Sequence, residues 1–214
     1  MIDLVDTLLV LVLLAVLSSL GSSRLPSLIK ALAFQGVAVS MVPLFLGHNL
    51  SAGGLAFTLA TMLIRGVAIP MYIYMAIRKV AIRRETDPLI GYHASLLIGL
   101  IIIMAAIFVS HRFHLPLIQG HRLLLPTAIT LMVAGMFLLM ARRNAIAMVL
   151  GYMMMENGIY LVGTAFSTRA AHHIVEFGIL LDILAGVMIM AIVLQNIKQA
   201  FDSVDTDRLR TLKE

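Results

Sequence analysis

Residues 145–166 read AIAMVLGYMMMENGIYLVGTAF. Apart from Glu156 and Asn157 the stretch holds only apolar, small and weakly polar residues, and it has the roughly 20 residues needed to cross a bilayer core as a helix. Glu156 stands near its middle, so the acid is expected close to the midplane. Tyr152 and Tyr160 stand four residues before and after it, on the same helical stripe. Phenol hydroxyls there could hydrogen-bond the carboxyl group in either protonation state. Burial disfavours the anion, so the group is expected to take and release a proton near neutral pH. The plainer reading is a protonated Glu that ties two helices together.

The same kind of segment recurs along the chain. Further apolar runs fall at 2–21, 27–47, 52–77, 92–111, 123–141 and 173–197, separated by breaks rich in turn formers, charges or His. With 61% hydrophobic and only 13% charged residues, the chain lacks the polar surface to coat a soluble domain of 214 residues. The expected fold class is an all-α integral membrane protein with seven transmembrane helices. The first run carries Asp3 and Asp6 and no basic residue ahead of it, the wrong charge for a secretory signal, and is read as a retained helix.

Seven spans put the termini on opposite sides. One side collects Arg24, Lys30, Arg78, Lys79, Arg83, Arg84, Arg142, Arg143, Lys198, Arg208, Arg210 and Lys213, and the other only Arg112, Arg122 and Arg169. The positive-inside rule then places the N-terminus outside and the C-terminus in the cytoplasm. The net charge of +5 is thereby a topology signal. No basic and aromatic stripe suggests nucleic acid. Arg83 and Arg84 suit anionic lipid headgroups.

Four ionisable residues remain inside the hydrocarbon: Arg65, Glu156, Glu176 and Asp182. Each costs about 2.5 to 3.5 kcal/mol at a helix centre on insertion scales, enough to offset several Leu or Ile. Asp182 lies between Gly178 and Gly186 on a small–acid–small stripe that lets another backbone approach, so it should face protein, as proton carrier or as packing group. Glu176 follows His172 and His173 by one turn, and the trio could pass protons between outer water and Asp182, or simply form a wet helix start. Arg65 precedes Gly66 and stands five residues before Pro70, which has no N–H to give the Gly66 carbonyl. A kink and a polar, hydrated spot are expected there. By residue counting Arg65 and Glu156 lie at similar depth, so the two can pair within the chain, or Arg65 can meet an acid on a partner subunit. Lys30 can snorkel to the cytoplasmic interface and is the weakest member of any charge line.

Other chemistry is excluded or unsupported. With no cysteine the chain cannot hold an iron–sulfur cluster or a thiolate zinc site. No phosphate-binding, dinucleotide-binding or hydrolase motif occurs. The seven His residues lie at or beyond helix ends and do not pair across spans, so no haem or other cofactor is expected. Fifteen Met residues read as flexible packing. No catalytic centre and no metal site is expected on this chain.

The last three spans carry a recognisable pattern. Arg142, Arg143 and Asn144 form a basic loop. A helix follows with Gly151 and Asn157, then a second helix with Asp182 and Gly186, then Asp202 to Val204. This resembles the small K-type subunit of complex I, with one departure: Met153 stands where that pattern places its acid, and Glu156 lies one turn further on. With four spans ahead of such a module, the whole chain resembles the hydrogenase-4 component E family. The resemblance implies a four-helix membrane segment at 1–115, a K-type module at 116–200 and a cytoplasmic tail at 201–214.

It further implies a subunit of a complex I-related assembly, of the group 4 hydrogenase or formate hydrogenlyase type, in a bacterial or archaeal cytoplasmic membrane. Partners would be antiporter-like membrane subunits and, through them, hydrogenase-like iron–sulfur and NiFe subunits. Glu156, Asp182, Glu176, Arg65, His172 and His173 would then lie on a lateral proton pathway, supported by Tyr152, Tyr160, Asn157 and Lys30. Two rivals stand beside this: a cation/proton antiporter assembly without redox chemistry, and a structural spacer of the membrane arm.

Overall fold

The computed structural model describes residues 4–46, 52–80, 90–112, 122–142 and 145–166. Its elements are α1 (Leu4–Gly21), α2 (Leu25–Leu46), α3 (Ala52–Leu63), a π-helical turn (Ile64–Ala68), α4 (Ile69–Val80), α5 (Tyr92–Arg112), α6 (Leu124–Ala141) and α7 (Ala145–Phe166). The described residues contain no regular strand. Six of their segments are long and apolar enough to cross a membrane, with α3, the π-turn and α4 together making the third. Helices are what such sequences must form in lipid, because only they satisfy every backbone N–H and C=O within one segment. These six match six of the seven expected spans. The seventh, at 173–197, lies outside the described residues, as do the tail and the terminal positions on which the in–out assignment rests.

Short connections fix the relative directions. Only residues 22–24 link α1 to α2, 47–51 link α2 to α3, and 142–144 link α6 to α7, far too few to run the length of a helix, so each pair is antiparallel. The C-terminal ends of α1 and α6 and the start of α5 meet through Arg142. Its Nη2 donates to the Leu20 carbonyl at 3.0 Å, and its guanidinium lies 4.6 Å from the centre of the Tyr92 ring. At this Arg142 end α2 and α7 begin and α4 finishes. At the opposite end α3 begins and α7 finishes.

The core runs along α1, α2, α6 and α7, where Leu9, Val16, Leu28, Val39, Leu131, Leu138, Leu150 and Leu161 are buried. By contrast, α5 turns Leu97, Ile101, Met104 and Phe108 outward, and the third span does the same with Leu59, Leu63, Val67 and Tyr72. Outward apolar sides of this kind suit a bilayer or a neighbouring membrane subunit.

Helices α6 and α7 pack backbone to backbone. A Cβ added to Gly135 would sit 2.5 Å from the Met155 nitrogen and 2.6 Å from the Gly151 carbonyl oxygen. One added to Gly158 would sit 2.7 Å from the Met132 nitrogen. Main chain cannot retreat as a side chain can, so glycine is required at this contact. Gly135→Val should cost at least the roughly 1–3 kcal/mol of ordinary overpacking. A thermal melt in mild detergent should show a lowered midpoint, whereas Gly91→Ala, where nothing lies within 4 Å of the new methyl, should leave it unchanged.

Candidate functional site

The third span brings an arginine to mid-membrane because its helix is locally widened there. Pro70 has no N–H to donate, and the chain adjusts one turn earlier: the Ile69 N–H bonds the Ile64 carbonyl, five residues back, in the π pattern. The expected kink thus takes the form of a π-turn, and Arg65 is its second residue. Helix α2 closes on the same turn. A Cβ on Gly36 would fall 2.7 Å from the Arg65 carbonyl oxygen, and one on Gly66 would strike the Val37 side chain.

From this turn Arg65 reaches α7. Its Nη2 donates to Glu156 Oε1 at 2.7 Å, with the two side chains 2% and 1% exposed. The guanidinium also lies 4.6 Å from the centre of the Tyr160 ring. Cation, anion and aromatic face form one enclosed cluster between two spans. Burying two charges this deeply is sustained only by good geometry, and the planar guanidinium supplies it, with one edge to the carboxylate and one face to the ring.

Of the residues singled out in the sequence, the structure thus gathers Arg65, Glu156 and Tyr160. Tyr152 and Asn157 are buried on the same helix. Lys30 is exposed in the second turn of α2, away from this cluster. Asp182, Glu176, His172 and His173 lie outside the described residues. Among those described, no group of three or more His, Asp or Glu residues could hold a metal ion.

Two polar residues escaped the sequence reading. Gln35 is fully buried at mid-length in α2, beside the Gly36 contact, and neither of its side-chain polar atoms meets a hydrogen-bond partner among the described residues. An amide in the middle of ALAFQGVAVS was signal enough. It carries no formal charge, so counting charges does not find it. In the sequence Arg142 is an inside charge and part of the basic loop pattern. The structure turns it inward, where it caps α1 and stacks on Tyr92. No periodicity announces that inversion.

Residues 123–214 match the family model of NADH-ubiquinone/plastoquinone oxidoreductase chain 4L. The chain is 25% identical over 184 residues to hydrogenase-4 component E of Escherichia coli, covering 86% of this chain and 83% of that protein. The Shigella flexneri protein of that name matches equally. The chain is also 28% identical over 194 residues to Uncharacterized protein Rv0085 of Mycobacterium tuberculosis, covering 89% and 87%. No solved structure matches. The chain is thus a multi-pass membrane protein that is similar over most of its length to hydrogenase-4 component E, and over residues 123–214 to chain 4L.

The ion pair makes a stability prediction. Arg65→Met strands a buried carboxylate and should cost about 3–5 kcal/mol, as should Glu156→Leu, which strands the guanidinium. The double variant, an apolar pair in an apolar place, should recover most of the loss. A double-mutant cycle of thermal melts measures the coupling, and additive losses would show that the two side chains do not depend on each other.

Proposed function

We propose that this chain is a membrane-arm subunit of a complex I-related redox assembly, of the group 4 hydrogenase or formate hydrogenlyase type. In this reading the Arg65–Glu156 pair is one station of a lateral proton-translocation axis. The observation that carries the proposal is the pair itself: two charges at mid-membrane, on different spans, enclosed by protein and away from any lipid-facing side. Intramembrane charges of this kind mark ion and proton pathways. The relatives are named for a hydrogenase and for an oxidoreductase chain, and this chain holds no cysteine to ligate a cluster. Redox chemistry therefore belongs to partners, and the contribution of this chain is electrostatic.

The pair suits such a task. Glu156 is stable as an anion only while Arg65 faces it. When a charge shift in a neighbouring subunit weakens that contact, the carboxylate takes up a proton, and the guanidinium, which keeps its charge, is released to act on the next group. Asp182 is the proposed next station, with Glu176, His172 and His173 leading from it to the outer surface. The partners are antiporter-like membrane subunits beside this one and, through them, hydrogenase-like iron–sulfur and NiFe subunits. Positive-inside counting makes the Arg142 end cytoplasmic and supports a place in a bacterial or archaeal cytoplasmic membrane.

The test is made in the assembled complex. Glu156→Gln should leave subunit composition unchanged while lowering proton translocation per electron pair, the loss expected of an intramembrane proton carrier. Full translocation in that variant, or co-purification with antiporter-type membrane subunits alone, would remove the redox-coupled relay.

A further inference from the structure

Gln35 stands at the level of the Arg65–Glu156 pair. It is residue 11 of the 22 in α2, and Glu156 is residue 12 of the 22 in α7. The two helices start at the same end, run parallel and pack on each other. Next to Gln35, the missing side chain of Gly36 lets α2 close on the third span. A Cβ there would fall 2.7 Å from the Arg65 carbonyl oxygen and 3.2 Å from the Arg65 Cβ. The Arg65 side chain therefore starts out alongside α2, one residue from Gln35, on its way to Glu156 on α7. Gln35 itself shares a stripe of α2 with Leu28, Val39 and Val42, all buried in the cluster that also takes in Val149, Met153 and Tyr160 of α7.

Both polar atoms of the Gln35 side chain are buried, and neither meets a hydrogen-bond partner among the described residues. A buried amide in that condition costs free energy that Met or Leu of similar size would not. With the ion pair closed, the amide is thus left unsatisfied, and the chemistry of the pair says which state satisfies it. A carboxylate only accepts and a guanidinium only donates, so at 2.7 Å each supplies what the other needs. Once the acid is neutral, the cation has lost its counter-charge in a place where a bare charge is most expensive. An amide offers an acceptor for the guanidinium and donors for the acid. Its oxygen is neutral, so it holds the cation without cancelling its field.

We infer that Gln35 is a positioning residue of the relay, whose amide moves in between Arg65 and Glu156 while the acid is protonated. Its Oε1 then accepts from the guanidinium, and its Nε2 donates to the carboxyl oxygen that does not carry the proton. The proton is taken from, and given up to, neighbouring groups of the relay, and the amide withdraws when the ion pair re-forms. Side-chain torsions suffice for this. Packed helices have axes about 8–10 Å apart, within the combined reach of Gln and Glu side chains at one depth. The backbones stay where Gly36 seats the third span and Gly135, Gly151 and Gly158 seat α7. This rests on the relay reading above and adds to it the group that keeps the cation in place while its partner is neutral.

Glu156→Gln is a fixed copy of the neutral acid in shape and charge, so the part played by Gln35 can be measured in the assembled complex without turnover. In the native background Gln35→Met removes an unsatisfied amide and should leave the thermal midpoint in mild detergent unchanged or raise it. In the Glu156→Gln background the same substitution removes an acceptor for the guanidinium and should lower the midpoint by several degrees. A side chain that only fills space would give the same shift in both backgrounds, and equal shifts overturn the inference. Should the double variant fail to assemble, Gln35→Met alone decides through proton translocation per electron pair. Translocation should fall, and a full value overturns the positioning role. A background-dependent shift with translocation intact in Glu156→Gln would refute the relay alone. Lost translocation in Glu156→Gln with equal shifts would refute only the part assigned to Gln35.

Discussion

The chain is organised around one salt bridge that lipid forbids on its surface. A guanidinium and a carboxylate at mid-membrane must be enclosed on every side, and most of the unusual local features serve that enclosure. Glycine at position 36 brings α2 against the carbonyl of Arg65. The π-turn before Pro70 carries Arg65 on the buried stripe of the third span, in line with Thr61 and Ile69. Tyr160 covers one face of the cation. The pair also links the third span directly to α7, across 91 positions of sequence.

A second guanidinium is buried for a different reason. Arg142 joins the ends of α1 and α6 to the start of α5, at the level where α1 runs out of hydrogen-bond donors for its last carbonyls. It therefore acts as a C-cap supplied from another helix. The two arginines divide the work: one fixes the ends of the bundle, and the other holds a charge at its centre.

Much of this was legible in the residues. Six spans follow from hydropathy because lipid leaves the backbone no alternative to the helix, whereas residue counting put Arg65 and Glu156 at similar depth and left a pair within the chain and an acid on a partner subunit equally open. Pro70 announced a disturbed turn but could not say which kind, since a kink and an extra residue per turn satisfy its missing donor equally well. The role of Tyr160 was only half visible. Its place on the Glu156 stripe is a matter of spacing, but presenting its ring face to Arg65 depends on how two helices meet. The inward turn of Arg142 is hidden for the same reason: burial is a property of the neighbours, and a single sequence does not print them.

The α6–α7 contact has a mechanical consequence for the pair. Where main chain rests on main chain at Gly135, Gly151 and Gly158, neither helix can rotate or slide without collision, so Glu156 is mounted on a stiff post. Arg65 stands on a post held the same way, since a Cβ on Gly36 would fall 2.7 Å from its carbonyl oxygen. Neighbouring helices thus pin the backbone beneath both charged groups, and the span of the salt bridge is set by the frame.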